Sequence, residues 1–238
     1  MENADAARRL RDLLGLAAAP VAIAFASSPP PGLDRVAAPA PAGCGYWSLA
    51  SDGQLFYTEA SDHLGCPIGA YTHNVHVPAD REAELGSMLE MMSDLAYLRM
   101  AEVPDIPRRQ EPTSFVIYGP LNAVSQPPDV VLIRGNARQM MLLAEAAQAA
   151  GVAPAAMLMG RPTCAILPYV MQDGSTATSV GCIGNRVYTG LSSDEQYFAV
   201  RGAVIEQFVD KLTTVVAANN ALESFHRARV AAPATEVA

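Results

Sequence analysis

Residues 44–69 read CGYWSLASDGQLFYTEASDHLGCPIG, and residues 164–184 read CAILPYVMQDGSTATSVGCIG. Each stretch opens on a cysteine, passes through an apolar run to an Asp-Gly turn, continues with a strand-length run and closes on Gly-Cys in a Gly-rich turn. Packing alone does not require the same sulfur-bearing residue at both points of two distant segments. The shared order therefore predicts an α/β (α+β) fold of two similar halves related by a pseudo-twofold axis, with mixed sheets flanked by helices. Residues 1–113 form the first half with Cys44 and Cys66. Residues 114–230 form the second with Cys164 and Cys182, and 231–238 read as a loose tail.

Outward from these segments, the N-terminal residues Ala6 to Leu16 have the spacing of an amphipathic helix, and Val21 to Phe25 of a buried strand. The Pro- and Gly-rich stretch 27–43 reads as a long connection. Trp47 to Ala50 and Gln54 to Thr58 read as a hairpin across Ser51-Asp52-Gly53. Asp80 reads as the cap of a helix whose stripe is Leu85, Met88, Leu89, Met92 and Leu95. Pro104, Pro107 and Pro112 mark a linker before the strand Phe115 to Tyr118. In the second half, Asp129 to Ile133 runs through Arg134-Gly135 into a helix capped by Asn136 and closed by Gly151. Strands are expected at Ala156 to Met159, Ala165 to Gln172, Ala177 to Val180, Arg186 to Leu191 and Tyr197 to Val200, and a last helix at Ala203 to Arg227. The repeat extends into these elements. Val75-His76-Val77 leads to Leu85, Leu89 and Met92, while Phe198-Ala199-Val200 leads to Phe208, Leu212 and Val215 at the same separations.

A chain of 238 residues, half of them apolar, buries a sizeable core without disulfides. The net charge of −8, with no Lys/Arg run, argues against nucleic acid or an anionic membrane surface as partner and favours a small-molecule substrate or a redox partner protein, with homo-oligomerisation left open. No apolar run approaches the ~20 residues of a membrane span. The N-terminal segment carries arginines where a signal peptide would be apolar, so cytoplasm is the expected compartment.

All four cysteines fall in the repeated segments, with spacing C-x21-C-x97-C-x17-C. Four thiolates brought together suit an iron-sulfur cluster or zinc, because soft sulfur selects those centres. Neither the short C-x2-4-C knuckles of zinc sites nor the tight run of ferredoxins is present, so only tertiary pairing could assemble such a site. Glycines at 65 and 181 let backbone amides approach a bound group closely. The alternatives are two redox-active pairs, Cys44 with Cys66 and Cys164 with Cys182, or four small buried hydrophobes. His63, His73 and His76 lie close to Cys66 and could activate its thiolate or join a mixed site. Arg186 could clamp an anionic substrate beside Cys182, and the Arg134-Gly135-Asn136 turn presents a helix start where anions bind. No phosphate-binding, dinucleotide or nucleophile-elbow glycine motif occurs, and Lys211 is the single lysine, which argues against Schiff-base chemistry.

The strand Pro-Val-Ala-Ile-Ala-Phe at 20–25, the Cys44 segment, Gly65-Cys66, the 128–136 stretch and Gly-Cys-Ile-Gly-Asn-Arg at 181–186 resemble the uncharacterised ArCR family, domain of unknown function 169, over roughly Leu10 to Leu222. The resemblance implies a prokaryotic cytosolic protein with cysteine-containing segments and carries no established activity. From the residues, the leading expectation is a redox protein, an iron-sulfur oxidoreductase if it is an enzyme. Cys44, Cys66, Cys164 and Cys182 would hold a 4Fe-4S cluster, Gly65 and Gly181 would supply amides, and His63 and Arg186 would position substrate. The alternatives are zinc or no cofactor, a metal-free enzyme with Cys66 or Cys182 as nucleophile, and a non-catalytic small-molecule binding module.

Overall fold

The computed structural model describes residues 2–152, 156–158, 162–172 and 174–231. Helix α1 (Asn3–Leu14) ends on Gly15 in the left-handed region, φ 62°, and leads to β1 (Val21–Ala26). Helix α2 (Gly45–Ser51) and strand β2 (Phe56–Glu59) follow the proline-rich connection. A 3-10 turn at Ala60–His63 precedes α3 (Pro67–Thr72), and α4 (Ala79–Asp94) and a second 3-10 turn, Met100–Asp105, precede β3 (Phe115–Pro120). The second half contains β4 (Val130–Asn136), α5 (Ala137–Ala149), β5 (Ala156–Leu158), α6 (Ile166–Gln172), β6 (Thr176–Ser179), α7 (Ile183–Thr189), β7 (Glu195–Arg201) and α8 (Ile205–Ala231).

The seven strands of the described residues join one sheet in the order β2-β3-β1-β4-β7-β6-β5. Its ladders are antiparallel except β5 on β6, which is parallel. At the centre β1 pairs with β4, Val21 opposite Leu132 and Ile23 opposite Val130. The sequence thus stands as a mixed α/β fold, with one continuous sheet where separate sheets were expected. Strand β3, beyond residue 113, pairs with β1 and β2 of the first half. Leaving the edge strand β5 aside, the order reads the same from both ends if β1 is matched with β4, β3 with β7 and β2 with β6.

Alternation along the strands sends successive side chains to opposite faces. Val131, Ile133, Phe198 and Val200 pack with α1, α5 and the first turns of α8 around Leu10, Leu143, Phe208 and Leu212. Val130, Leu132, Tyr197 and Ala199 face the other way, onto Tyr46 and Trp47 of α2 and Ile166, Leu167 and Val170 of α6. The sheet is therefore a middle layer between two helical ones, and everything that bears the cysteines lies on the second face.

The structure corrects several local expectations. Trp47–Ala50 and Ala165–Gln172, read as strands, lie in α2 and in the 3-10 turn running into α6. Each of the two helices buries an i, i+1, i+4 triad, Tyr46-Trp47-Ala50 and Ile166-Leu167-Val170, and short apolar runs do not by themselves separate a buried helix from a strand. Gly53, φ 104°, therefore turns a helix into β2 rather than closing a hairpin. The expected strand Arg186–Leu191 is instead helical through Thr189, α7 being capped by Gly190. Asp80 sits in the first turn of α4, capped by Pro78, and Val75–Val77 is irregular. Asn136 does cap α5: its side chain accepts from the amide of Gln139, which returns the bond. The expected strand end Met159, the turn residue Asp173 and tail residues 232–238 lie outside the described residues. No helix among the described residues is long and apolar enough to cross a membrane.

Candidate functional site

The two quoted segments keep a nearly constant offset along the chain. Cys164 follows Cys44 by 120 residues, and β6 starts 120 residues after β2. Cys182 follows Cys66 by only 116. The first half thus carries four extra residues between strand and Gly-Cys, the length of the 3-10 turn Ala60–His63. Cys44 and Cys164 stand at the starts of α2 and of the turn into α6, while Cys66 and Cys182 cap α3 and α7. In both caps the sulfur accepts a backbone N–H three residues on, from Gly69 and from Asn185, each at 3.5 Å. The Thr163 hydroxyl, beside Cys164, accepts the amide of Cys182 and so ties the second-half cysteine turns together.

The four cysteines converge on the wall of one cavity of about 520 Å³. Gly65 and Gly69 line it too; a Cβ at Gly65 would stand 2.4 Å from the carbonyl oxygen of Pro41, so only glycine allows that approach. Its apolar wall comes from Ile68, Met88, Met92, Leu98, Ile106 and Ile183. Helix α4 and the turn after it have no counterpart before β7 and roof the cavity from the first half alone. The α4 stripe read as core is therefore mostly cavity wall and surface: Leu85 is its one buried residue, and Leu95 is 72% exposed. Its expected counterpart α8 packs on the opposite layer with α1 and α5.

Burial dominates the chemistry of the thiols. It pushes Cys44 up to about 12, against a smaller lowering by the nearby Asn185 amide. It raises Cys66 against the amides of Gly69 and Ile68, and holds Cys164 well above the ordinary thiol range. Neighbouring thiols add to this, Cys182 acting on both Cys44 and Cys66, and Cys66 on Cys164. These three groups are neutral thiols at pH 7.

The iron-sulfur expectation fails on this geometry. Among the described residues, no three His, Cys, Asp or Glu side chains are grouped so that they could hold a metal ion. A cluster or zinc needs sulfurs about 2.3 Å from one centre, whereas these thiols belong to four separate helix starts spread round a cavity wall. An oxidoreductase built on a 4Fe-4S cluster falls with it. All four cysteines are free, so neither expected pair is bonded.

His63 and Arg186 do not line the cavity. His63 is buried behind it, with Nε2 2.8 Å from the Thr58 hydroxyl, Nδ1 without a partner, and its ring stacked on His73 at 5.3 Å. Arg186 donates to the carbonyls of Ser192, Val180 and Glu195, fastening α7 to the start of β7. Gly181, φ 82°, shapes the turn before Cys182 without reaching the wall. His76 is exposed. Arg134 is engaged by Glu195 and Gly190, and the α5 capping box uses the amides that an anion would need.

Two polar side chains at the wall keep atoms without a hydrogen-bond partner, His73 at Nε2 and Asn185 at its amide. His73 is 2% exposed and Asn185 1%. His73 Nδ1 lies 3.0 Å from the Gly69 carbonyl, so that nitrogen carries the proton and leaves Nε2, which makes no hydrogen bond, as a bare acceptor. Burial lowers His73 to about 4, keeping it neutral. Both amide atoms of Asn185 are buried and unbonded. Asn185 lies in the same Gly-Cys-Ile-Gly-Asn-Arg run that drew attention to Arg186; its isolation became visible only with its burial.

Fold and site together define a class: a three-layer protein with one mixed sheet and, on one face, an apolar cavity walled by four helix-start cysteines. The chain belongs to the uncharacterised ArCR family, domain of unknown function 169, whose profile matches residues 9–211. No curated protein and no solved structure matches it.

Proposed function

We propose that this protein binds a small, mostly apolar molecule in the cysteine-walled cavity, and that the cavity is formed by two copies of one ancestral Cys-helix-strand-Gly-Cys unit. The observation that carries the reading is the convergence of both segments, with the unbonded His73 Nε2 and Asn185 amide, on a single space of about 520 Å³. That volume is typical of small-molecule sites. Buried polar groups are ordinarily hydrogen-bonded, so two without partners on one cavity wall support an occupant that supplies the bonds. The neutral thiols act in this reading as soft, polarisable wall groups. We take the compartment to be the cytoplasm, supported by four free cysteines.

The test uses the neutral fluorophore N-phenyl-1-naphthylamine. It should bind saturably at one site per chain and protect Cys66 and Cys182 from iodoacetamide. Gly184 lines the cavity, and a Cβ there meets only the Tyr188 ring at 3.6 Å, so Gly184→Leu narrows the space without backbone strain and should weaken binding. Binding that is unsaturable, or unchanged in that variant, would exclude the cavity as the site.

A further inference from the structure

Charge at the cavity wall is sparse in a way that restricts the ligand. Among the described residues no lysine or arginine lines the space, and the one acidic residue there, Glu102, is ion-paired with Arg99 at the exposed edge. The histidine at the wall is neutral, as are the thiols of Cys44, Cys66 and Cys164. A carboxylate or phosphate entering here would lose its water and meet no cation among the described wall residues. An ammonium would find only a carboxylate that already has a partner. Either would bear the cost of an unpaired buried charge, far larger than that of an unpaired amide.

The polar groups that are present ask for something specific. The Asn185 carboxamide carries a donor group, Nδ2–H2, and an acceptor, Oδ1; it acts on the neighbouring Cys44 thiol and Tyr197 phenol, yet neither atom has a partner in full hydrogen-bond geometry. His73 adds an acceptor, Nε2. A primary or secondary amide, a lactam or another carbonyl with an adjacent N–H or O–H is complementary to Asn185 in both directions, and a further donor suits His73. A purely apolar ligand would seal these atoms away unbonded, and a buried donor or acceptor left so is costly.

We propose that the cavity selects an uncharged molecule with an apolar body and an amide-like head, the head seated against Asn185. This rests on the cavity being a ligand site, and it goes further by naming what the ligand must carry.

Four probes sharing one ring system separate the two claims by titration calorimetry at pH 7: naphthalene-2-carboxamide, 2-naphthoate, 2-naphthylmethylammonium and 2-methylnaphthalene. The carboxamide should bind at least about tenfold more tightly than each of the others, the scale of one satisfied against one unsatisfied buried group. Asn185→Leu should bring the carboxamide down to the level of methylnaphthalene. The wild-type ranking needs no variant to fold. Equal binding of the carboxamide and methylnaphthalene overturns the head-group assignment and leaves the cavity as an apolar site, and preference for either charged probe overturns it in favour of a charge-binding one. Failure of all four to bind overturns both.

Discussion

His63 and His73 stack in the interior beside the cavity, each held neutral by burial, His63 further lowered by its neighbour. The unfolded chain takes up protons at about pH 6.5, whereas folded His73 does so only near 4. Stability is therefore complete above pH 6.5 and falls as the pH drops from 6.5 towards 4. His73 alone accounts for about 2.5 kcal/mol by pH 4.5, at about 1.4 kcal/mol per unit. Urea midpoints at pH 7, 5.5 and 4.5 should decline in the wild type and decline less in His73→Gln; equal slopes would refute the assignment. Glu195 acts in a lower window. Burial would raise it, but the bonds from Arg134 and Ser192 prevail and hold it at about 2, so its contribution is present above about 4.5 and is lost below. Cys44, pushed up to about 12, should alkylate with iodoacetamide at pH 7 more than a hundredfold more slowly than free cysteine, and at the ordinary rate in urea. A native rate like that of the unfolded chain would mean that this thiol is open to water.

Among the elements, the sharpest constraint lies where β7 turns into α8. A Cβ at Gly202 would stand 1.7 Å from the carbonyl oxygen of Pro128, and the Gly202 amide donates to Asp129 at 2.8 Å. The neighbouring backbone cannot yield without moving β4, so Gly202→Ala should cost at least about 2 kcal/mol in urea unfolding. An effect below ~0.5 kcal/mol would show that this crossing is loose. Helix α4 is the opposite case, with Leu85 its one buried residue and Leu95 exposed. Its amides should exchange with deuterium well before those of β4, and the naphthalene carboxamide should slow them if the cavity below is occupied. The α4 stripe was visible in the sequence, but periodicity reports only that a helix has an apolar face. It cannot report whether that face meets a packed core or an open space.

At the scale of the molecule, the core of α8 ends at Leu212, with Val215 and Val216 partly packed, while Leu222, Phe225 and Val230 are exposed. Beyond residue 221 the helix makes surface ion pairs, Glu223 with Arg138 and Arg227. A chain ending at residue 221 should therefore lose no more than about 1 kcal/mol of stability by urea denaturation, since exposed pairs contribute little. A cooperative collapse on truncation would place essential packing further along the helix than the burial pattern does.

The sequence alone determined the repeated Cys-to-Gly-Cys plan, the mixed α/β composition, the caps such as Asn136 and the central strands. These depend on chemistry between residues near one another along the chain. It did not determine that α2 and α6 are helices, because an apolar run of four or five residues buries equally well in either form and only its neighbours choose. Tertiary structure alone decided that four distant cysteines line one cavity rather than hold a metal. Ligand geometry requires sulfurs to converge within bonding distance, and that separation is set by how four helix starts pack on one sheet. It also decided that Asn185, not Arg186, faces the space: one residue along α7 turns a side chain by about 100°, enough to exchange a cavity wall for a structural tie.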